Sequence, residues 1–358
     1  MTLETKLDPL PVAPSTGGML GEMDALHSAL SAAGSPIARS MLLGVSGLAF
    51  SFGFRVNTDT RTGQNPQFGW FRPAQWDGPD PLRLAARLAG FDFTSHLVNS
   101  TSGMFQRVMQ SIDARVAVLT RDPQPPHHPC LIIGYTCDDN LGPPRALHMV
   151  RCPGDNGEGQ AGGPQQQIRV ELPVDPESVM LEIGPWRNPI GVLERRSEPN
   201  DGSVQNQLRA GLRRAAAISA TRVISASGDD APMLDGDVLD EEVRSSLVRP
   251  SFATWANTVR GGHVDVVSLR IALNDLHAAR SAAAAFLIDS CASSGWDTVA
   301  AGELFHEVAS QVAECRALVP AGEAELDEAS AAAVATALDA LNETEARGIG
   351  ALTSVMNG

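Results

Sequence analysis

The stretch PHHPCLIIGYTCDD, residues 126–139, decides our interpretation of the fold. Residues 131–133 are bulky and mostly β-branched, which is the composition of a buried strand. The residues after position 137 supply turn chemistry, and a second run over residues 145–151 is expected to pair back until a Cys-Pro-Gly sequence stops it. The stretch therefore predicts a β-hairpin with His128 at the start of its first strand, where it is a candidate general base.

The overall composition limits the classes of function. The chain has 358 residues, of which 43% are hydrophobic, so it is long enough for about two domains. It carries 27 basic and 42 acidic residues, for a formal net charge of -15. Such a surface repels nucleic-acid phosphates and anionic lipids, so neither nucleic acid nor a membrane is an expected partner. The charge favours a cationic small molecule such as an amine, although a solubilising role is the simpler explanation.

The cysteines and the N-terminus indicate a cellular location. The five cysteines are odd in number and follow no regular spacing, which favours a reducing cytoplasm over a secreted, disulfide-linked class. The first 21 residues lack the apolar core of a signal peptide, and no run approaches a membrane span. We therefore expect a cytoplasmic protein whose residues 1–35 form a flexible N-terminus and one short helix.

A change in composition near residue 203 predicts a domain boundary. Residues 36–203 alternate strand and helix signals, with a loop predicted just before the boundary, and are expected to form an α+β domain. Residues 204–358 are Ala-rich with helical periodicity, and are expected to form an all-helical domain. The predicted helices of this second part are 204–225, 237–247, 251–261, 266–290, 297–317 and 323–355.

The sequence SMLLGVSGLAF, residues 40–50, supplies a candidate nucleophile. Gly44 and Gly47 bracket Ser46, and this pattern predicts a loop that enters a buried helix beginning at Ser46. A hydroxyl at a helix N-terminus lies among free backbone N–H groups, and the helix dipole there stabilises a developing oxyanion. The alternative is that Ser46 is only the N-cap of that helix.

Aromatic residues supply candidate binding positions. Trp70 and Trp76 flank a polar loop and are either groove-lining residues or core packers. Together with Tyr135 they are the candidate substrate-binding residues. Trp255 and Trp296, in the helical part, are predicted to anchor the core.

Histidines and cysteines near the hairpin raise the question of a zinc site. No Cys-x2-Cys pair is present, and neighbouring strand residues point to opposite faces, so these side chains do not all converge. We expect no metal, and the lack of a nucleotide-binding glycine fingerprint predicts no cofactor. The residues concerned are His127, His128, His148, Cys130, Cys137 and Cys152.

Short motifs resemble those of a known family. Residues 46–49, Ser-Gly-Leu-Ala, resemble the Cys-Gly-x-Ala that opens the nucleophile helix of bacteriocin-type papain-like peptidases. His128 and the run 131–135 resemble their His-hydrophobic-Gly-Tyr strand, and residues 150–153 stand where those families place Asp-Pro. The order of a papain-like core and an Ala-rich helical half resembles the butirosin-biosynthesis acyltransferase family. Members of that family transfer an acyl group from a carrier-protein thioester to an amine.

The resemblance implies a papain-like domain and an acyltransferase, or a related amide-forming or cyclising enzyme of specialised metabolism. Ser46 would attack or orient the substrate, His128 would act as base, and Asp139 or Cys152 would hold the imidazole. Two positions depart from the family pattern, because serine replaces cysteine at residue 46 and Cys152 replaces the orienting aspartate. Serine needs an activating base, whereas cysteine is partly thiolate at neutral pH.

The resemblance also suggests partners, and two other functions stay open. An acyl carrier protein could dock on Arg209, Arg213 and Arg214, which lie near one helical face. A homodimer is left open. The alternative functions are a catalytically inactive papain-like scaffold that binds a small molecule or partner, and a non-covalent lyase or cyclase that uses His128 with a carboxylate. The distance from Ser46 to His128 distinguishes among the three.

Overall fold

The computed structural model describes residues 3–7, 18–51, 80–96, 101–121, 129–138, 144–151, 167–171, 190–196, 204–220, 252–262, 264, 266–320 and 325–357. The chain divides into two compact units, Met1–Leu42 with Leu82–Asp201 and Leu43–Pro81 with Gly202–Gly358. The first unit contains an antiparallel sheet with helices, and the described part of the second is helical. The chain is therefore a mixed protein of helices and antiparallel sheet, in agreement with the predicted α+β class.

The strands of the first unit form one antiparallel sheet in the order β2-β7-β3-β4-β5-β6, with β1 paired to β4. Their bounds are β1 Leu3–Lys6, β2 Phe91–His96, β3 Val118–Arg121, β4 Pro129–Cys137, β5 Ala146–Arg151, β6 Gln167–Glu171 and β7 Ile190–Arg195.

Strand β4 is the centre of this sheet, and every residue in it is buried. Strand β5 pairs along one edge of β4, which confirms the predicted hairpin. The other edge is shared, because β3 pairs with residues 129–132 and β1 pairs with residues 134–137. The register between β4 and β5 shifts between Ile132 and Gly134, so a β-bulge separates the two halves of β4.

The helices that belong wholly or partly to the first unit are α1 Gly18–Ala32, α2 Arg39–Ser46, α3 Pro81–Leu88 and α4 Thr101–Asp113. Helix α1 packs against β3 and β4, and α4 packs against β1, β3, β4 and β7. Met23, Leu26 and Leu30, which recur at helical spacing in the sequence, form an apolar face of α1 and are all buried. A partly buried ion pair between Asp24 and Arg39 joins α1 to the start of α2.

Two strands differ from the sequence-based expectations. Residues 3–6 were predicted to be flexible, but they form β1, which takes up the free edge of β4. Residues 190–195 were predicted to be loop, but they form β7. Gly191, which in a sequence indicates a turn, instead makes room for packing, since a Cβ there would lie 2.5 Å from the ring of Phe93.

The helices described in the second unit are α5 Val204–Ala220, α6 Phe252–Arg260, α7 Val266–Ser294, α8 Val299–Ala317 and α9 Glu328–Asn357. They lie where the sequence predicts helices. Trp255 is fully buried among leucines and valines of α7, α8 and α9, which confirms its predicted core role. Trp296 is only half-buried, so its predicted core role is wrong.

The division of the chain also differs from the predicted boundaries of 36–203 and 204–358. Residues 43–81 group with the helical unit rather than with the sheet. The described part of this segment explains why. A Cβ at Gly44 would lie 2.0 Å from the ring of Phe286, and Phe50 packs edge-on against Phe286 and Phe305 at centroid distances of 6.2 and 5.3 Å.

The sequence also predicts a strand at residues 52–56 and a helix at 237–247, and both lie outside the described residues. Among the helices that are described, none combines the length and apolarity needed to cross a bilayer.

Candidate functional site

Ser46 is the last residue of α2, so its predicted place at the start of a helix is wrong. Gly47 has a φ of +85°, a left-handed conformation that ends the helix at low steric cost. The N–H of Ala49 donates to the carbonyl of Leu43 at 3.1 Å, and the N–H of Gly47 donates to that of Gly44 at 3.0 Å. These bonds close the C-terminal end of α2 and leave no helix N-terminus at Ser46.

The hydroxyl of Ser46 is buried and already hydrogen-bonded. It donates to the carbonyl of Leu43 at 2.9 Å and accepts from the N–H of Leu48 at 3.3 Å, and Ser46 is 3% exposed. A helix C-terminus carries a partial negative charge, which disfavours an oxyanion, whereas an N-terminus stabilises one. The catalytic role of Ser46 stays a prediction, but the helix dipole does not support it.

Two arginines of the helical unit hold the residues on either side of Ser46. Arg214 of α5 donates to the carbonyl of Val45, and Arg280 of α7 donates to the carbonyl of Ala49 at 2.7 Å. Arg280 also donates to a carboxylate oxygen of Glu345 in α9 at 2.6 Å. Carbonyls at a helix end lack partners within the helix, and these side chains satisfy them. The end of α2 and the turn that follows it are thus held by side chains from two helices, α5 and α7, and Glu345 of α9 in turn pairs with Arg280.

Most of the other predicted site residues lie outside the described residues. These are His128, Asp139, Cys152, Trp70 and Trp76. The distance from Ser46 to His128, and the group that orients His128, therefore stay predictions.

Tyr135 is described and is buried on β4. Its hydroxyl donates to Asp113, the last residue of α4, at 2.8 Å. Burial, and after it the hydrogen bond to Asp113, raises the pKa of Tyr135 above its ordinary value, so the phenol stays protonated. In this arrangement the hydroxyl ties β4 to α4. Its predicted role in binding substrate stays a prediction.

A cluster of polar side chains around a histidine lies on the sheet where β1, β4 and β5 meet. The Nε2 atom of His148 lies 2.8 Å from the hydroxyl of Thr136 and 3.6 Å from a carboxylate oxygen of Glu4. Glu4 pairs with Thr136 across β1 and β4, and His148 pairs with Gly134 beyond the bulge, so the three side chains share one face. We call Glu4, Thr136 and His148 the histidine cluster.

The histidine cluster has a mixed chemical character. His148 and Thr136 are buried, whereas the side chain of Glu4 is 56% exposed. In a catalytic relay of the Ser-His-Asp type, the nucleophile and the acid contact different nitrogens of the imidazole ring. In the histidine cluster, the Thr136 hydroxyl and the Glu4 carboxylate both lie beside Nε2 of His148, so the three residues do not reproduce that arrangement. It is suited to holding a proton or a polar ligand beside Glu4. Lys6 extends along the same face and donates to the side chain of Gln167 at 2.8 Å.

The sequence alone does not predict the histidine cluster, and the only role considered for His148 there is that of a metal ligand. A histidine within the apolar run ALHMV was a usable signal, because a polar residue in a buried strand needs a partner. The partners themselves were not predictable. The bulge after Ile132 changes which residues share a face, and Glu4 belongs to a strand that was predicted to be flexible.

The cationic residues predicted as a docking site divide into two groups. Arg214 turns inward to the carbonyl of Val45 and is not part of an exposed surface. Arg209 and Arg213 instead stack on Trp296, each with its guanidinium carbon 5.4 Å from the ring centroid. Among the described residues, no group of three or more His, Cys, Asp or Glu side chains is arranged to hold a metal ion.

No protein-family model matches the chain, and no curated protein matches it.

Proposed function

We propose that the chain is a papain-like scaffold that binds a small molecule or a partner without forming a covalent acyl-enzyme at Ser46. The observation that carries this proposal is the position of Ser46 at the C-terminal end of α2, with its hydroxyl buried and bonded to the carbonyl of Leu43. A nucleophile of the papain type opens a helix, where free N–H groups are available. Here the motif closes a helix instead.

The covalent question is tested by intact-mass analysis after incubation with a small acyl thioester. We compare the wild type with Ser46→Ala and with the matched control Ser51→Ala. Ser51 is also buried, and its hydroxyl donates to the carbonyl of Leu48 at 3.0 Å, so its removal reports the effect of losing a similar serine. We expect no acyl adduct that depends on Ser46. An adduct present on the wild type and on Ser51→Ala but absent from Ser46→Ala overturns the proposal and establishes acyl transfer.

The ligand class is tested separately by thermal unfolding with a panel of polyamines and amino sugars. The net charge of -15 favours cations, and a ligand that binds the folded chain raises its melting temperature in proportion to RT ln(1 + [L]/Kd). Neutral sugars and dicarboxylates of similar size are the matched controls. A rise confined to the amines supports a cationic ligand, and equal rises with the dicarboxylates contradict it.

A second candidate is non-covalent acid–base catalysis, and the observation that favours it is the histidine cluster. An imidazole beside a hydroxyl and a half-exposed carboxylate is a suitable proton acceptor. In this candidate His148 moves the proton and Glu4 stabilises the imidazolium. If the thermal-unfolding panel identifies an amine that binds, the protein is then assayed for turnover of that amine. Turnover should be lost in His148→Gln and retained in Lys6→Gln, which removes a charge on the same face of the sheet. Equal loss in both variants contradicts the assignment.

A further inference from the structure

We propose that Arg209, Arg213 and Trp296 form a docking surface for an acidic segment of a partner protein. We call these three residues the Arg-Trp surface. Arg209 and Arg213 are four residues apart on α5, and Trp296 lies in the connection from α7 to α8. This inference rests on the partner-binding form of the proposed function, and its peptide-binding test can fail without affecting the acyl-adduct test at Ser46.

The geometry of the Arg-Trp surface is fixed. Arg209 donates through Nε to the carbonyl of Ser294 at 2.7 Å, and Gly295, with a φ of +75°, turns the chain so that Trp296 lies beside α5. Both guanidinium groups stack on Trp296 at cation–π distance. Arg213 is exposed, and Arg209 and Trp296 are half-buried. Two cations are therefore held in place beside a partly accessible aromatic ring.

The Arg-Trp surface places two like charges close together. Like charges four residues apart on a helix repel each other. The chain has an excess of carboxylates, yet within the described ranges neither Arg209 nor Arg213 pairs with one, and each is held instead by Trp296. Other arginines of the described residues do lie beside a carboxylate, namely Arg39, Arg87, Arg145, Arg196, Arg260, Arg280 and Arg347.

The chemistry of the surface selects the class of partner. Planar guanidinium groups bind carboxylates in a bidentate manner, and arginine and tryptophan are enriched at the energetic centres of protein interfaces. Nucleic acid and anionic membranes carry dense negative charge, which a chain of net charge -15 repels as a whole. A protein segment with a few carboxylates contacts the Arg-Trp surface locally and avoids that repulsion.

The test uses fluorescence anisotropy with the full chain and a labelled Glu/Ala helical peptide that carries glutamate at every fourth position. The same peptide with glutamine is the control ligand. We expect the glutamate peptide to bind, the glutamine peptide to bind at least about 10-fold more weakly, and the affinity to fall as salt rises from about 0.05 to about 0.3 M. Arg213→Gln should weaken binding of the glutamate peptide by about 10-fold, and Arg209→Gln/Arg213→Gln should abolish it.

The control variant is Arg347→Gln, which removes an exposed cation from the same helical unit at a distance in sequence from the surface. It should leave peptide affinity unchanged, and circular dichroism should confirm that all variants stay folded. Equal weakening by Arg347→Gln, or no binding of the glutamate peptide by the wild type, overturns the proposal. Tighter binding of an oligonucleotide or of anionic vesicles than of the glutamate peptide also overturns it.

Discussion

Breaking the buried ion pair of the helical unit should cost far more stability than breaking an exposed one. Arg280 is 2% exposed, and its side chain contacts Glu345 at 2.6 Å and the carbonyl of Ala49 at 2.7 Å. Glu345→Gln keeps the shape of the side chain but leaves the Arg280 cation buried without its counter-charge. Removing one partner of a buried pair typically costs about 3–5 kcal/mol. The interaction of two unit charges about 4 Å apart at an effective dielectric of about 20, near 4 kcal/mol, agrees with that range.

The assay is urea unfolding followed by far-UV circular dichroism, with Asp339→Asn as the matched control. Asp339 pairs with Arg260 in the same unit, but both side chains are 43% exposed, so its loss should cost no more than about 1 kcal/mol. Glu345→Gln should lower the unfolding midpoint with an unchanged slope. If Glu345→Gln and Asp339→Asn lower the free energy of unfolding equally, the buried pair is not the stabilising feature inferred here.

Three further predictions concern single residues. Gly134→Ala should destabilise the fold by about 1–3 kcal/mol in the same urea assay, because a Cβ there would lie 2.6 Å from the backbone oxygen of Thr5. Its control is Gly350→Ala, which has open space around it in a helix and should stabilise the fold by up to about 1 kcal/mol. Burial raises the pKa of Cys315 from 9.0 to about 12, so the stability that the buried thiol contributes is present below pH 9 and lost as the pH rises toward 12. The free energies of unfolding of the wild type and Cys315→Ala should therefore converge at high pH, and parallel curves contradict this prediction. Partial burial lowers the pKa of His27 below 6.5, so the stability contributed by the neutral imidazole is present above pH 6.5 and lost on acidification. The wild type should lose stability relative to His27→Gln between about pH 6.5 and 5, and no relative change argues against a half-buried neutral imidazole.

Local signals in the sequence predicted much of the fold. The hairpin of β4 and β5 follows from a β-branched run, turn residues and a second apolar run, and the structure confirms it. The helix Pro81–Leu88 carries local signals of the same kind, namely an aspartate directly before it, a proline at its first position and a glycine beyond its end. The five described helices of the second unit follow from their apolar periodicity. In each case, the residues that determine the element lie within it or directly beside it.

Non-local pairing accounts for the strands that the sequence did not predict. Leu3–Lys6 has no strong strand signal, and it becomes β1 because β3 leaves half of one edge of β4 unpaired. Its pairing also requires glycine at residue 134, where a side chain would collide with β1. The position of Glu4 beside His148 depends on this pairing. A site assembled from distant strands cannot be read from the local pattern of any one of them.

The glycine and serine motif around Ser46 has a structural explanation at each position. Gly44 admits the ring of Phe286, and Gly47 supplies a positive φ at a point where a Cβ would lie 2.5 Å from Ile218. Ser46 satisfies one carbonyl and one N–H at the helix end that they create. Small residues around a serine are therefore required here by helix termination and close packing alone. The same residue types also occur where a nucleophile begins a helix. The two cases differ in whether the helix follows the serine or, as here, ends at it. Because Ser46 is the last residue of α2, it lies at the negative end of the helix dipole. A developing oxyanion is not stabilised there, and this favours a binding scaffold over an acyl-enzyme.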